Sequence, residues 1–277
     1  MAGGLVTVTA PTSGASATLT AGATTGSTVP TTIGADGQAT ANTTVGPYSV
    51  AATAAGAASS ATFSLTNTPG APASVVVVSG SGQSVTIGSA FSNPLVVVVK
   101  DAYGNPVPGA SVLFTAPTSG ASATLSASTA TTGADGRASV TAKANAIGGP
   151  DTVTASVDGP TSATFNLTNT YQIVALFDQT KPKTSGSTVP ITIKLTDAQG
   201  QNVGASGLPV TAVSVVGPDG PVQSPGNSQP GNLFTFDPTT KTYQFNLKTT
   251  GYKPGKYTFC FEVGSDPTLY GVSFRIG

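Results

Sequence analysis

Ala61-Thr-Phe-Ser-Leu-Thr-Asn-Thr68 and Ala163-Thr-Phe-Asn-Leu-Thr-Asn-Thr170 differ at one position. In both, Ala, Phe and Leu alternate with polar residues, the period-two pattern of a strand with one buried face and one wet face. The same strand is therefore written twice, and the chain is built on a repeat. Working outward, Thr9-Ala-Pro-Thr-Ser-Gly-Ala-Ser-Ala-Thr-Leu19 returns unchanged as Thr115–Leu125, and Gly-Ala-Asp-Gly stands at 34–37 and again at 133–136. The three offsets are 106, 99 and 102 residues, so the copies differ by small insertions of the kind surface loops absorb. A repeat of about 100 residues is too long for a solenoid unit and has the size of a domain, which points to beads on a string.

Alternation recurs elsewhere. Ile191, Ile193 and Leu195 alternate with Thr192, Lys194 and Thr196, and Tyr243, Phe245 and Leu247 with Gln244, Asn246 and Lys248. Turn signals fall between such runs at Asp101–Pro106, Ala134–Gly136, Gly148–Pro150 and Asp158–Pro160. Spacing of this kind predicts an all-β chain of tandem Ig-like β-sandwiches in an elongated array. We divide it into residues 1–69, 70–170 and 171–277. In the middle module, strands are expected near 74–79, 83–87, 94–100, 111–115, 122–126, 137–143, 151–157 and 161–168.

Composition narrows the function. Of 277 residues only 8% are charged, with 11 basic and 11 acidic side chains and no histidine. Residues 1–69 carry a single charge, Asp36. No segment holds the basic stripe that a phosphate backbone requires, so nucleic acid is not an expected partner. The longest apolar runs, Val75–Val78 and Leu95–Val99, are too short to insert in a membrane. Lack of histidine removes the commonest general base and metal ligand, and ten of the eleven acids are Asp, mostly in turns. We expect no enzyme activity, no cofactor and no metal site. Asp101 with Asn105 could offer oxygens to Ca²⁺, but too few, and the pair reads better as a turn.

The run Pro94-Leu-Val-Val-Val-Val-Lys-Asp-Ala-Tyr-Gly-Asn-Pro-Val-Pro-Gly-Ala-Ser-Val-Leu-Phe114, followed by Gly133-Ala-Asp-Gly-Arg-Ala138, resembles the bacterial Ig-like domains of invasin and intimin type. The resemblance covers 70–170, and 5–69 by repetition; it implies an extracellular or cell-surface stalk or adhesin module. Ser187–Asp197, Phe236–Tyr243 and Gly255–Thr258 are similar to secreted bacterial modules with a Pro-x-Lys-Phe signature. Here Thr192 and Ile193 replace its Lys and Phe.

At an offset of 106, the first copy has no counterpart of residues 70–108, which hold the apolar run Leu95–Val99. Either the chain begins inside a domain, or a neighbouring subunit supplies the strand by β-augmentation. For the second case the candidate donors are Leu5–Thr9 and the C-terminal strand, with Val272, Phe274 and Ile276 on one face. Such a contact would run head to tail into a filament. Partners are thus other copies, adjacent domains of a longer chain, or a cell-surface glycan or protein.

The remaining candidates are few. Cys260 lies out of phase with Phe259, Phe261 and Val263, which predicts a half-exposed thiol. Lys100 and Asn166, on strands of one sandwich, could in principle form a Lys–Asn isopeptide cross-link, although residues 1–69 hold no Lys to repeat it, and Asn42 and Asn166 head formal glycosylation sequons. Phe234, Phe236, Tyr243, Tyr252, Tyr257 and Tyr270 make the third module a candidate adhesive tip, although alternation puts Tyr243 and Tyr257 in a core. Accessory modules of a polysaccharide-degrading enzyme are a third class of reading.

Overall fold

A computed structural model describes residues 5–21, 24–32, 37–158, 161–225 and 230–277. Its buried residues gather in three clusters, one for each repeat-sized stretch, with Ile87 of the second stretch joining the third cluster.

The first stretch forms Leu5–Thr9 (β1), Ala17–Ala21 (β2), Thr24–Gly26 (β3), Thr28–Thr32 (β4), Gly37–Ala41 (β5), Gly46–Ala54 (β6) and Ala61–Asn67 (β7). They lie in sheets ordered β4-β1-β6-β7 and β3-β2-β5. The second forms Ser74–Ser79 (β8), Gln83–Thr86 (β9), Leu95–Lys100 (β10), Ser111–Thr115 (β11), Ala123–Leu125 (β12), Thr129–Thr131 (β13), Arg137–Val140 (β14), Ala142–Ala144 (β15), Gly149–Ser156 (β16) and Ser162–Thr170 (β17). Here β14-β10-β8 faces β13-β11-β16-β17-β9, with β12-β15 as a separate pair. The third forms Gln172–Ala175 (β18), Pro182–Lys183 (β19), Thr188–Thr196 (β20), Val210–Gly217 (β21), Gly220–Gln223 (β22), Thr235–Asp237 (β23), Thr242–Lys248 (β24), Gly255–Val263 (β25) and Asp266–Ile276 (β26). Its sheets run β18-β20-β24-β23 and β19-β26-β25-β21-β22.

The second and third sandwiches share a plan. The order β8-β10-β14 in one is β18-β20-β24 in the other. A short strand lies parallel to the last strand in both, β9 on β17 and β19 on β26. The strand Thr129–Thr131 escaped the sequence reading because three edge residues are too few to show a period.

β10 explains how the middle sandwich closes. Its five consecutive apolar residues suit a strand between two others, and Leu95, Val97 and Val99 are fully buried against Phe165, Val153 and Val112. The first stretch repeats the sheet around β1, β6 and β7 but has no described strand in the place of β8, β9 or β10. Its core is Ala10, Ala17, Leu19, Val29 and Val50, with no buried aromatic ring among the described residues.

One polar network occurs twice, bond for bond. In the middle sandwich Asn169 donates to Ser122 O (3.0 Å) and to Asn145 Oδ1 (3.2 Å), while Asn145 donates to Gly120 O (2.9 Å). In the first, Asn67 donates to Ser16 O (2.9 Å) and to Asn42 Oδ1 (2.9 Å), and Asn42 to Gly14 O (2.8 Å). These Asn side chains tie the last strand of each sandwich to the Thr-Ser-Gly-Ala-Ser loop. Both ends of the network thus fall in the repeated strings. Buried amide groups need such partners.

The middle core also holds a misfit. Asp151 faces inward on β16, 1% exposed, and neither carboxylate oxygen has a hydrogen-bond partner among the described residues. Burial pushes its pKa up, and the nearby Thr152 amide offsets this only in part. A carboxyl whose folded pKa exceeds its unfolded one is best tolerated when protonated, so it destabilises the fold as pH rises above the unfolded value. Asp151→Asn should therefore stabilise the middle sandwich at neutral pH and abolish the gain in stability that the parent shows on acidification. Chemical denaturation at several pH values checks this, and a loss of stability at neutral pH contradicts it.

Candidate functional site

The most unusual surface is the place where the first sandwich lacks its β10. Phe165 and Leu167, on β17, are 0% and 2% exposed; their equivalents Phe63 and Leu65, on β7 in a nearly identical string, are 56% and 36% exposed. Local sequence does not explain this, nor does the pairing that the two share, since β6 pairs with β7 as β16 pairs with β17, Val50 opposite Phe63 and Val153 opposite Phe165. The difference lies in what surrounds them: β9 flanks β17 and the sheet β14-β10-β8 covers it, whereas no described strand takes the place of β8, β9 or β10 around β7.

The result is an open groove of about 460 Å³. Its floor is Val6, Val8, Val50 and Ala52, its far wall Leu19, Ala21 and Ala39, and its rim Phe63 and Leu65. β5 bounds one side as an edge strand, hydrogen-bonded to β2 alone. Unpaired edges beside apolar surface are sites where another strand can add.

Two junctions frame the middle sandwich. At the first, Asp101 Oδ1 accepts from the Tyr103 and Asn105 amides (both 2.9 Å), and Oδ2 from the Gly70 amide (3.0 Å) and Asn105 Nδ2 (2.9 Å). The Asn105 side chain and these amides hold Asp101 down to about 2. Asn105 Nδ2 also donates to Thr43 O (2.9 Å), so this turn clasps the first sandwich. The Asp101–Asn105 pair is a turn and a clasp, as its sequence context suggested.

At the second junction, Asp197 caps the equivalent turn by accepting from the Gln199 and Gln201 amides, and the Ala198 amide donates back to Ile87 O (3.2 Å). Ile87, just beyond β9, is buried in the third core. Beside it the Tyr270 hydroxyl accepts from the Tyr171 amide (2.7 Å) and donates to Asp266 in a short hydrogen bond. Tyr171 in turn accepts from the Gly148 amide (3.0 Å). A Cβ on Gly148 would lie 2.2 Å from the Tyr171 ring, so only glycine fits there. Desolvation by burial, with the Asp266 carboxylate beside it, raises the pKa of Tyr270 strongly.

Several expectations need correction. Val272, Phe274 and Ile276 are 5%, 0% and 3% exposed in the third core, and β26 is paired with β25 and β19. They complete their own sandwich and are not a free donor strand. Leu5–Thr9, the other donor candidate, is hydrogen-bonded on both sides, to β4 and β6. Cys260 is buried, 7% exposed, because β25 is the central strand of its sheet, with Ser214 and Gly271 alongside. Phe234, Tyr243, Tyr252, Tyr257 and Tyr270 are all buried and Phe236 packs against them, so the tip reading loses the side chains that motivated it. Lys100 and Asn166 lie on opposite sheets, with Asn166 outward, and are not brought together. The Asn42 side chain is committed to Gly14, Ser16 and Asn67. What sequence reasoning missed is the Asn67 and Asn169 network and the Tyr171–Tyr270 lock. The signal for the first was Thr-Asn-Thr, repeated at 66–68 and 168–170; the second joins residues 99 apart in sequence.

Among the described residues no group of three or more His, Cys, Asp or Glu could hold a metal, and no helix is long and apolar enough to cross a membrane.

Fold and junctions define a class, tandem Ig-like sandwiches. Residues 76–170 match the family model of the bacterial Ig-like domain (group 1), and the middle sandwich belongs to that family. No curated protein has a significant match to the chain. Among solved structures, the Escherichia coli adhesin FdeC is 20% identical, with 99% of this chain and 93% of that one covered at a TM-score of 0.42. Invasin, described as a bacterial integrin-binding protein, is 20% identical over 100% of this chain and 53% of that one, TM-score 0.36. The Yersinia pseudotuberculosis adhesin InvE is 20% identical over 74% and 58%, TM-score 0.35.

The paired phenylalanines give a direct test. Phe165→Ala should destabilise the middle sandwich by about 3–5 kcal/mol, the cost of emptying a packed aromatic site. Phe63→Ala should change the stability of the first sandwich by no more than about 0.5 kcal/mol, as at other exposed positions. Denaturant titration of both variants checks the pair, and similar losses at the two sites would contradict it.

Proposed function

We propose that the chain is a non-enzymatic segment of an extracellular bacterial surface protein, in which linked Ig-like sandwiches act as a stiff spacer. The observation that carries this reading is the second junction. There Tyr171, Tyr270, Asp266, Gly148 and the Ala198–Ile87 bond fix the third sandwich on the end of the second. A flexible linker would need none of them. The direct step from β17 to β18, with Tyr171 alone between, leaves little freedom for a hinge. The family of the middle sandwich and a sparsely charged, Thr-rich surface support an exported protein. Display of an adhesive end remains a second reading, without the third module's aromatic side chains to favour it.

Spin labels at Ser139→Cys and Lys248→Cys, both exposed and on different sandwiches, read the stiffness directly; buried Cys260 stays unlabelled. The parent should give a single narrow distance distribution. Tyr270→Phe leaves the Tyr171 amide and the Asp266 carboxylate short of partners, at about 1–3 kcal/mol for each buried group, and should broaden it. A broad distribution in the parent would contradict the spacer reading.

A further inference from the structure

We propose that Asp151 keeps its proton in the folded protein and donates it to Asn169 Oδ1, so that the hold on the second junction depends on pH. Three buried oxygens of the middle sandwich have no hydrogen-bond donor among the described residues: Asp151 Oδ1, Asp151 Oδ2 and Asn169 Oδ1. Both side chains face inward at one end of the β16–β17 pair. Gly149 lies opposite Asn169 there and Asp151 opposite Leu167, which makes the carboxyl and the amide diagonal neighbours on one face. Acceptors cannot satisfy one another, and a bare carboxylate at 1% exposure is costly. One proton on the carboxyl removes the charge and supplies the missing donor. Desolvation acts in the same direction, since it raises the pKa of Asp151. No neighbouring charge takes the proton's place among the described residues. Side chains buried on β8, β10, β11, β12, β14, β15 and β17 are apolar apart from Asn169, and Lys100, Arg137 and Lys143 occupy outward positions on these strands. Asp101 lies at the first junction, at the far end. From the third sandwich β26 brings Asp266 and Tyr270, bonded to each other, while Tyr171 after β17 accepts from Gly148.

The amide that receives this proton also ties down the junction loop. Asn169 Nδ2 donates to Ser122 O (3.0 Å), Asn145 Oδ1 (3.2 Å) and Ile147 O (3.3 Å), and the next residue, Gly148, donates its amide to the Tyr171 hydroxyl. Residues 145–148 are thus held from the core by Asn169 and from the third sandwich by Tyr171. With the proton in place, Asn169 is fixed at both its oxygen and its nitrogen. Once the proton leaves, Asn169 must give up a bond to Ser122, Asn145 or Ile147 to offer Asp151 a hydrogen, and the loop loosens. The sign follows from the raised pKa: the hold is present below the folded midpoint and is lost as pH rises through it. The first sandwich provides a control within the same chain. Asn67 makes the same three bonds, to Ser16 O, Asn42 Oδ1 and Thr44 O, but Tyr48 stands in the place of Asp151, opposite Leu65.

The test is a pH titration of the full 277-residue chain followed by NMR. The Asp151 carboxyl carbon should titrate with a midpoint above the ordinary Asp range, and the Asn169 side-chain amide should shift with the same midpoint. Above it, the Gly148 amide should exchange about tenfold faster after correction for the intrinsic rate, the effect of one buried group left without its partner. The Asn67 side-chain amide should not follow. Asp151→Asn places an N–H where the acid has its O–H and cannot titrate, so Asn169 and Gly148 should then keep their low-pH state throughout. An ordinary or lowered Asp151 midpoint overturns the proposal. So does an Asn169 response that survives Asp151→Asn, or a Gly148 exchange rate indifferent to the Asp151 titration. The inference builds on the junction that the spacer reading uses, but these readouts are local to the middle sandwich, so its failure is distinct from a failure of that reading.

Discussion

A sheet with an apolar face must have that face covered, and the strands that face it decide whether it is. β10 carries the cover in the middle sandwich and β20 in the third, where Val189, Ile191, Ile193 and Leu195 are at most 1% exposed. Burying side chains of this size contributes roughly 1.5–3 kcal/mol each. With no described counterpart of β8, β9 or β10, the first sandwich shows Phe63 and Leu65 to solvent although its residues repeat those of a closed neighbour. The cores, the groove and the exposed rim all follow from the presence or absence of that cover.

A second constraint acts at the ends. The strand that covers each complete sandwich runs directly into an Asp-Ala-x-Gly turn, Asp101–Gly104 after β10 and Asp197–Gly200 after β20. Each turn is stiffened by an Asp that accepts amide hydrogen bonds, and each reaches the preceding sandwich, through Asn105 to Thr43 and through Ala198 to Ile87. The element that closes a sandwich thus also docks it on its neighbour. In the second junction Tyr171 and Tyr270 add a polar lock that the first does not share.

Much of this was legible in the residues. Alternation located most strands of the middle sandwich, and the repeated strings marked the duplication. Period two reports which side chains share a face, but not what lies over that face. Hence Cys260, out of phase with the core, is covered all the same on a central strand. The same limit applies to Val272, Phe274 and Ile276, whose pattern suits a donor strand and an ordinary core strand equally. Alternation places Tyr243 and Tyr257 in a core, but only the packing of β20, β24, β25 and β26 encloses Phe234, Tyr252 and Tyr270 as well. Bonds such as Tyr171 to Tyr270 leave no local pattern, because their partners meet only once two sandwiches are in place.

The central claim is that two nearly identical strands differ in state because one lacks cover. Hydrogen exchange on the intact chain measures this most directly, comparing Ala61–Asn67 with Ser162–Thr170. The account predicts that the first exchanges at least tenfold faster and that the second opens only with the whole middle sandwich. Equal protection of the two strands would contradict it.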